Sequence, residues 1–216
     1  MKIGTQEKRE ETLEEATATP VSGKVVVLDA GHGTPDEGAQ SSKGTTEAET
    51  NLKIALKVQN LLEQSGCTVI LTRSDEKAIY DLDKTTLKEK KISDIRNRVK
   101  IGNSASADMF VSIHLNKIPQ QQYWGWQCFY SSKSEESMKL AKILQSSLNE
   151  TIQKDNKRVA MKLDTVYIMK HVEIPISIVE CGFLSNPEEE QQLLDDEYQD
   201  KLAWGIYNGI IEYFKN

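Results

Sequence analysis

Cysteine is scarce in this 216-residue sequence, which contains only Cys67, Cys128 and Cys181. Each lies in or beside an apolar run, where a thiol usually acts as a small core residue. A small and odd number of cysteines argues against a scaffold held together by disulfide bonds. It leaves the compartment open, because larger exported proteins with adequate cores need no disulfides.

Long apolar runs are also missing. The sequence has no stretch of about 18 apolar residues, the length from which a transmembrane helix is predicted, and no signal-peptide pattern at its start. There is no excess of positive charge either: 27 Lys and Arg are interleaved with 33 Asp and Glu, for a formal net charge of -6. This balance predicts that nucleic acid is not a partner.

The first residues differ in composition from the rest. Residues 1–20 are polar and strongly charged and close with Ala, Thr and Pro, which is typical of a flexible stalk. We predict a charged stalk over 1–22 and one folded domain over 23–216. A membrane-targeting segment ahead of the stalk would make the protein exported, extracytoplasmic and membrane-tethered. A disordered tail on a cytoplasmic protein is an equally good interpretation of this composition.

From Val21 onward, apolar runs alternate with helical patterns, which predicts an α/β fold: a single domain with a twisted, mostly parallel central sheet and helices on both faces. The predicted strands are 25–28, 68–72, 109–114, 127–130 and 176–179. The predicted helices are 48–65, 92–103, 135–152, one that opens at 186–189, and 198–214. The polar stretch 73–91 is predicted to be a long loop.

Two of the three histidines, His32 and His114, lie at the ends of predicted strands. The carboxyl ends of strands in an open α/β sheet form the crevice where ligands bind, so both side chains are aimed at the usual site. Taken singly, each is more often a hydrogen-bonded core or surface residue than a ligand. We interpret His171, which ends no strand, as a surface residue near the groove.

Carboxylates complete a possible site. Two imidazoles and one carboxylate, with water as the fourth ligand, are a common catalytic zinc site, and Glu47 and Glu49 precede the first helix. We interpret Glu49 as a solvated carboxylate favoured by the helix dipole. Glu180 ends a strand and would accept a proton from water whose pKa the metal lowers to about 7. An ion-pair role is the alternative for Glu180.

The aromatic segment Trp124-Gly125-Trp126 has two interpretations. It is either a wall on which sugar or peptide stacks, or a plug at the edge of the core. The sequence favours neither.

Five ordered segments together resemble the zinc-dependent N-acetylmuramoyl-L-alanine amidases of the Amidase_3 family. The resemblance covers residues 24–214 and is most like the compact sporulation and germination amidases of the CwlD type. The segments are VVVLDAGHGTPDEGA at 25–39, TEAETNL at 46–52, LTRSD at 71–75, SADMFVSIHLN at 106–116 and IPISIVECGFLSNPEE at 174–189.

The resemblance implies a function and a site. The enzyme would hydrolyse the amide bond between N-acetylmuramic acid and L-alanine in peptidoglycan, in the spore cortex. His32, Glu47 and His114 would bind Zn²⁺, and Glu180 would be the catalytic carboxylate. The sequence departs from the family pattern at Thr34, where a second glycine is usual. It also lacks room after Asn116 for the autoinhibitory helical insert of some relatives, so a regulatory protein partner or restricted metal loading would control it.

Two other functions remain open from the sequence. A zinc-dependent sugar deacetylase also uses histidines with a carboxylate, but it releases acetate rather than peptides with a new L-alanine amino terminus. A wall-binding, partner-regulated scaffold with weak metal occupancy would release neither.

Overall fold

The computed structural model describes residues 19–215, within which the chain forms six strands and six α-helices. The strands are β1 (Val25–Ala30), β2 (Thr68–Leu71), β3 (Met109–Asn116), β4 (Gln127–Tyr130), β5 (Met161–Lys162) and β6 (Ile176–Phe183). The helices are α1 (Glu47–Gln64), α2 (Leu87–Ser104), α3 (Glu135–Ile152), α4 (Tyr167–His171), α5 (Pro187–Leu194) and α6 (Asp196–Lys215).

All but the last four residues of the predicted stalk lie outside the described residues. Val21, one of those four, is fully buried in the core. In the described part of the chain, no helix combines the length and the apolar character needed to cross a bilayer.

The strands form one sheet in the order β2-β1-β3-β6-β4-β5. Strands β2, β1, β3 and β6 are mutually parallel, and β4 runs antiparallel to β6. The carboxyl ends of β1, β3 and β6 therefore meet at one edge of the sheet, beside the amino end of β4. This edge is where the predicted site residues lie.

Both faces of the sheet are covered by helices, which confirms the predicted α/β fold. Along β1, Val26 and Leu28 belong to the larger core cluster and Val27 to the smaller one, as expected from the alternation of side chains along a strand. Helices α1, α3 and α6 cover the larger cluster, and α2 and α4 the smaller.

Helix α2 begins five residues earlier than predicted, inside the stretch expected to be a loop. Thr86 and Glu89 form a capping box, in which each side chain accepts a hydrogen bond from the other residue's backbone N–H. This reciprocal bonding satisfies two donors that the first turn leaves free. The short elements β5 and α4 were not predicted, because two- and five-residue segments carry too little periodicity.

Two glycines of α6 allow it to pack closely against α3. A Cβ atom at Gly209 would lie 2.8 Å from Leu144 Cδ2 and 3.1 Å from Leu144 Cα, and one at Gly205 would lie 2.8 Å from Leu148 Cδ2. A Cβ atom 3.1 Å from a backbone atom would require the two helices to move apart by a few tenths of an ångström. The two glycines therefore set the spacing of these helices.

We expect Gly209→Val to lower the free energy of unfolding by about 2 kcal/mol, because the added branch overpacks the α3–α6 contact. Urea unfolding measures the change. Lys201→Val places the same residue on the exposed side of α6 and should stay within about 0.5 kcal/mol of the parent. Equal stability of the two variants would contradict the close packing.

Candidate metal centre

The chain that leaves β1 is shaped to admit two imidazoles. A Cβ atom at Gly31 would lie 2.3 Å from the His114 ring, so a larger residue would displace that ring. His32 follows with φ of 63°, in the left-handed region that few residues other than glycine adopt. The backbone thus turns sharply and presents His32 beside His114, with their ring centroids 5.0 Å apart.

Glu47 lies between the two histidines. Its Oε2 is 3.3 Å from His32 Nε2, and its Oε1 is 2.8 Å from His114 Nδ1. One ligand atom from each of the three residues lies within 4.8 Å of the others. The structure therefore brings together all three side chains expected to bind metal.

The Glu47 carboxylate is fixed from several sides. It opens helix α1 and is almost fully buried, and it accepts hydrogen bonds from the N–H groups of Ala39 at 2.8 Å and Leu115 at 3.1 Å. Glu49 is instead exposed and pairs with Lys53 at 2.7 Å. The interpretation of Glu49 as a solvated carboxylate is thus consistent with its placement.

The donor set fits a zinc ion. Imidazole nitrogen and carboxylate oxygen bind Zn²⁺ at about 2 Å, which separates two ligands of a tetrahedral site by about 3.3 Å. The contacts of Glu47 with His114 and His32, at 2.8 and 3.3 Å, are close to this spacing. Both imidazole rings are only partly buried, so the site remains accessible from solvent.

Asp36 orients the first of these histidines. Its Oδ2 lies 3.2 Å from His32 Nδ1, and its Oδ1 lies 2.8 Å from Lys91 Nζ. Burial by itself lowers the pKa of His32, but the hydrogen bonds to Asp36 and Glu47 outweigh it and raise that pKa to about 9. A carboxylate on one ring nitrogen leaves the other for a metal, an arrangement frequent in zinc sites.

Glu180 lies opposite His114 in the pairing of β3 with β6. Its Oε2 is buried and has no hydrogen-bond partner among residues 19–215. Burial, with a further contribution from the Glu47 charge, raises the pKa of Glu180 to about 7. A carboxyl group with this pKa can both accept and return a proton near neutral pH.

These side chains open into a cavity of about 460 Å³. His32, His114 and Glu180 line one part of it, and an apolar wall lines another. The wall consists of Leu163, Val166, Ile168 and Ile178. A polar cluster beside an apolar wall is typical of a ligand pocket.

Two buried arginines that the sequence did not single out hold the end of β1. Arg98 of α2 donates to Asp29 Oδ1 at 2.6 Å, to Ala30 O at 2.7 Å and to His32 O at 2.5 Å. Arg73 donates to Ala30 O at 2.8 Å and also to Gly31 O and Ala48 O. The carbonyl groups of Ala30, Gly31 and His32 are therefore held in place by side chains from distant segments of the chain.

Asp29 remains ionised beneath this loop. Burial raises its pKa, but Arg98, His114 and hydrogen bonds from Ser112 and Thr72 together bring the pKa below its ordinary value. A buried carboxylate of this kind requires its cationic partner. LTRSD at 71–75 was part of the resemblance, whereas nothing in the sequence pattern marked Arg98.

The two tryptophans of the aromatic segment have different environments. Trp126 is fully buried, and its indole N–H donates to Asn149 Oδ1 at 2.7 Å. Trp124 is 38% exposed and the preceding Tyr123 is 45% exposed. Trp126 therefore plugs the core, whereas Trp124 faces solvent.

His171 is exposed and stacks on Tyr167, as expected for a surface residue.

The chain matches a known family over most of its length. Residues 26–212 match the family Amidase_3, described as N-acetylmuramoyl-L-alanine amidase. The germination-specific N-acetylmuramoyl-L-alanine amidase of Bacillus subtilis (strain 168) is 40% identical over 195 residues, which cover 90% of this chain and 81% of the relative.

Solved structures agree with this match. The CwlD amidase from Clostridioides difficile, in complex with the GerS lipoprotein, superposes with a TM-score of 0.86 at 42% identity and covers 89% of this chain and 98% of that one. The catalytic domain of CwlV, an N-acetylmuramoyl-L-alanine amidase from Bacillus (Paenibacillus) polymyxa var. colistinus, has a TM-score of 0.75 at 32% identity, with coverage of 89% and 98%.

We expect Arg98→Met to lower the free energy of unfolding by about 3–5 kcal/mol, because it leaves the Asp29 carboxylate buried and without its cation. Arg96→Met is the matched control: Arg96 lies on the exposed face of the same helix, and the change should stay within about 0.5 kcal/mol. Equal midpoints of the two variants in urea would contradict the role of Arg98.

Proposed function

The chain belongs to the Amidase_3 family of N-acetylmuramoyl-L-alanine amidases, and we propose that it is a zinc-dependent hydrolase of the amide bond between N-acetylmuramic acid and L-alanine in peptidoglycan. The observation that carries the proposal is the convergence of His32, Glu47 and His114 at the edge of the sheet. The three side chains come from distant segments of the chain. A purely structural role would not require them to converge.

His32 Nε2, the Glu47 carboxylate and His114 Nδ1 would hold the zinc ion. When bound, zinc supplies Lewis-acid polarisation of a carbonyl and lowers the pKa of water. Asp36 holds His32 in the orientation that directs Nε2 toward Glu47. The backbone N–H groups of Ala39 and Leu115 hold Glu47 in place, so the ligands need little rearrangement.

Glu180 is the group that moves the proton. Amide hydrolysis requires that water lose a proton as it attacks the carbonyl and that the departing nitrogen gain one. Glu180 Oε2 is the buried acceptor without a hydrogen-bond partner in residues 19–215, and it lies on the strand next to His114. We assign both transfers to this carboxylate, which takes the proton from water and delivers it to the L-alanine nitrogen.

The cavity positions the substrate around these groups. Leu163, Val166 and Ile168 form an apolar wall that excludes water from one side of the reacting amide. Exclusion of water strengthens the interactions of the charged groups inside. The peptide stem and the lactyl group would lie across this cavity, with the amide beside Glu180.

We further place the enzyme among the sporulation and germination amidases that act on spore cortex. Two relatives at 40% and 42% identity, the germination-specific amidase of Bacillus subtilis and the CwlD amidase of Clostridioides difficile, support this subtype. A substrate of this kind lies outside the cytoplasmic membrane, so the protein would be exported. The complex of CwlD with a lipoprotein supports a regulatory protein partner here too.

A sugar deacetylase is not favoured, because the family match extends over residues 26–212. A wall-binding scaffold is also not favoured, because it would not require a buried carboxylate with a raised pKa beside the donor set.

We expect Glu180→Gln to keep its zinc and to lose about 10²- to 10⁴-fold in kcat, because the amide can neither accept nor return the proton. His114→Ala should lose both zinc and hydrolysis. Zinc content by atomic emission and peptide release from purified peptidoglycan provide the two readouts. Release by Glu180→Gln at the parent rate would refute its assignment.

Treatment with a chelator should abolish hydrolysis, and stoichiometric Zn²⁺ should restore it, because the three ligands lose their ion. Mass spectrometry of the products should show peptides with a free L-alanine amino terminus. Release of acetate without such peptides would instead identify a deacetylase, and full activity of the protein shown to be metal-free would exclude zinc dependence.

A further inference from the structure

We propose that Tyr123, Trp124 and Arg158 form a second binding surface, beside the catalytic cavity, that holds the glycan strand of the substrate. We refer to these three residues as the aromatic surface. The proposal rests on the proposed function, since it assigns a place to the sugars that flank the muramic acid unit being cleaved.

The aromatic surface has the composition of a sugar site. Tyr123 and Trp124 are consecutive and are 45% and 38% exposed, and a cavity of about 330 Å³ lies beside them. The cavity is lined by Gln122, Tyr123, Trp124, Asp155, Asn156, Lys157 and Arg158. A pyranose ring has apolar C–H faces that pack on aromatic rings, and hydroxyl and acetamido edges that bind polar groups.

Hydrogen bonds between neighbouring side chains and the backbone hold the loop of the aromatic surface in place. Arg158 Nε donates to Trp124 O at 3.1 Å, and Gly125 N donates to the buried Glu189 Oε1 at 2.8 Å. Asn156 Nδ2 donates to the carbonyl oxygen of Trp126, whose side chain is fixed in the core. A preformed loop loses little conformational freedom on binding, so its exposed rings are well suited to a ligand.

The position of the aromatic surface connects it to the reaction site. Gln127, three residues after Trp124, lies opposite Glu180 in the pairing of β4 with β6, and three residues of chain span at most about 11 Å. Arg158 Nη1 donates to Gln127 Oε1 at 3.2 Å, and its guanidinium lies 4.5 Å from the centroid of the Phe183 ring. Sugars next to the cleaved unit therefore lie within reach.

The form of the aromatic surface favours a glycan over a protein. A stable protein interface takes about 20–30 residues from each partner, whereas the two rings here border a small cavity lined by amide, carboxylate and cationic side chains. The preferred ligand is therefore a chain of small rings with polar edges.

The test compares two substrates. One is intact peptidoglycan, and the other is a single N-acetylmuramoyl unit carrying the peptide. For the double variant Tyr123→Ala/Trp124→Ala, we expect the ratio of kcat/KM on peptidoglycan to kcat/KM on the single unit to fall about tenfold, through KM, because both stacking contacts are lost. The variant Tyr123→Phe/Trp124→Phe keeps both rings and should keep most of the ratio.

Trp204→Ala is the matched control, since Trp204 is a comparably exposed tryptophan, on α6. It should leave the ratio as it is in the parent. Circular dichroism and thermal melting of each variant establish that it is folded. An unchanged ratio in the Ala double variant, or the same fall in the Phe variant, would overturn the proposal.

Binding separates this proposal from the proposed function. Co-sedimentation with peptidoglycan, in the Glu180→Gln background, measures the aromatic surface without any turnover. We expect the Ala double variant to bind about tenfold more weakly there. Equal binding overturns the glycan assignment, whereas absence of hydrolysis by the parent would refute only the amidase activity.

Discussion

The buried pair between Asp29 and Arg98 is the interaction on which the site depends. The two side chains meet at 2.6 Å, almost without exposure to solvent. Removing two charges from water costs several kcal/mol per ion, so such a pair adds little net stability. Its value is geometric, because the same guanidinium also binds the carbonyls of Ala30 and His32. The loop that carries a metal ligand is thereby tied to the centre of the sheet and to α2.

The parallel sheet brings the other groups to this loop. β3 delivers His114 and β6 delivers Glu180 at paired positions, because neighbouring parallel strands end at the same edge. Glu47 arrives separately, as the first residue of α1, where the positive end of the helix dipole favours a carboxylate. A helix start and three strand ends therefore surround one small volume. This is the crevice in which open α/β sheets bind ligands.

The sequence allowed much of this to be predicted, for local reasons. Apolar runs that end in His32, His114 and Glu180 can be recognised from a few neighbouring residues. The capping box of Thr86 and Glu89 is also visible in the sequence, and it marks the start of α2 five residues before the predicted one. Arg98 could not be predicted in the same way, because its partner carbonyl at His32 is 66 residues away and carries no side-chain signal.

The aromatic segment illustrates the same limit. Trp124 and Trp126 are two residues apart, so alternation along an extended segment would place their side chains on the same side. Gly125 between them has φ of 95° and breaks the extended geometry, so the two rings lie in different environments, and periodicity does not say which one is buried. That depends on Asn149 of α3, which accepts the indole N–H of Trp126 and so selects the buried ring.

The side chains that would bind the metal are already held in place before an ion enters. Glu47 is fixed by two backbone N–H groups, His32 by Asp36, and the loop by Arg98. Little conformational freedom remains to be lost when an ion enters. The remaining requirement is chemical, since imidazole binds a metal only as the neutral ring. Asp36 stabilises the protonated form of His32 and also orients the neutral ring, so the same carboxylate sets both the geometry of the site and its competition with protons.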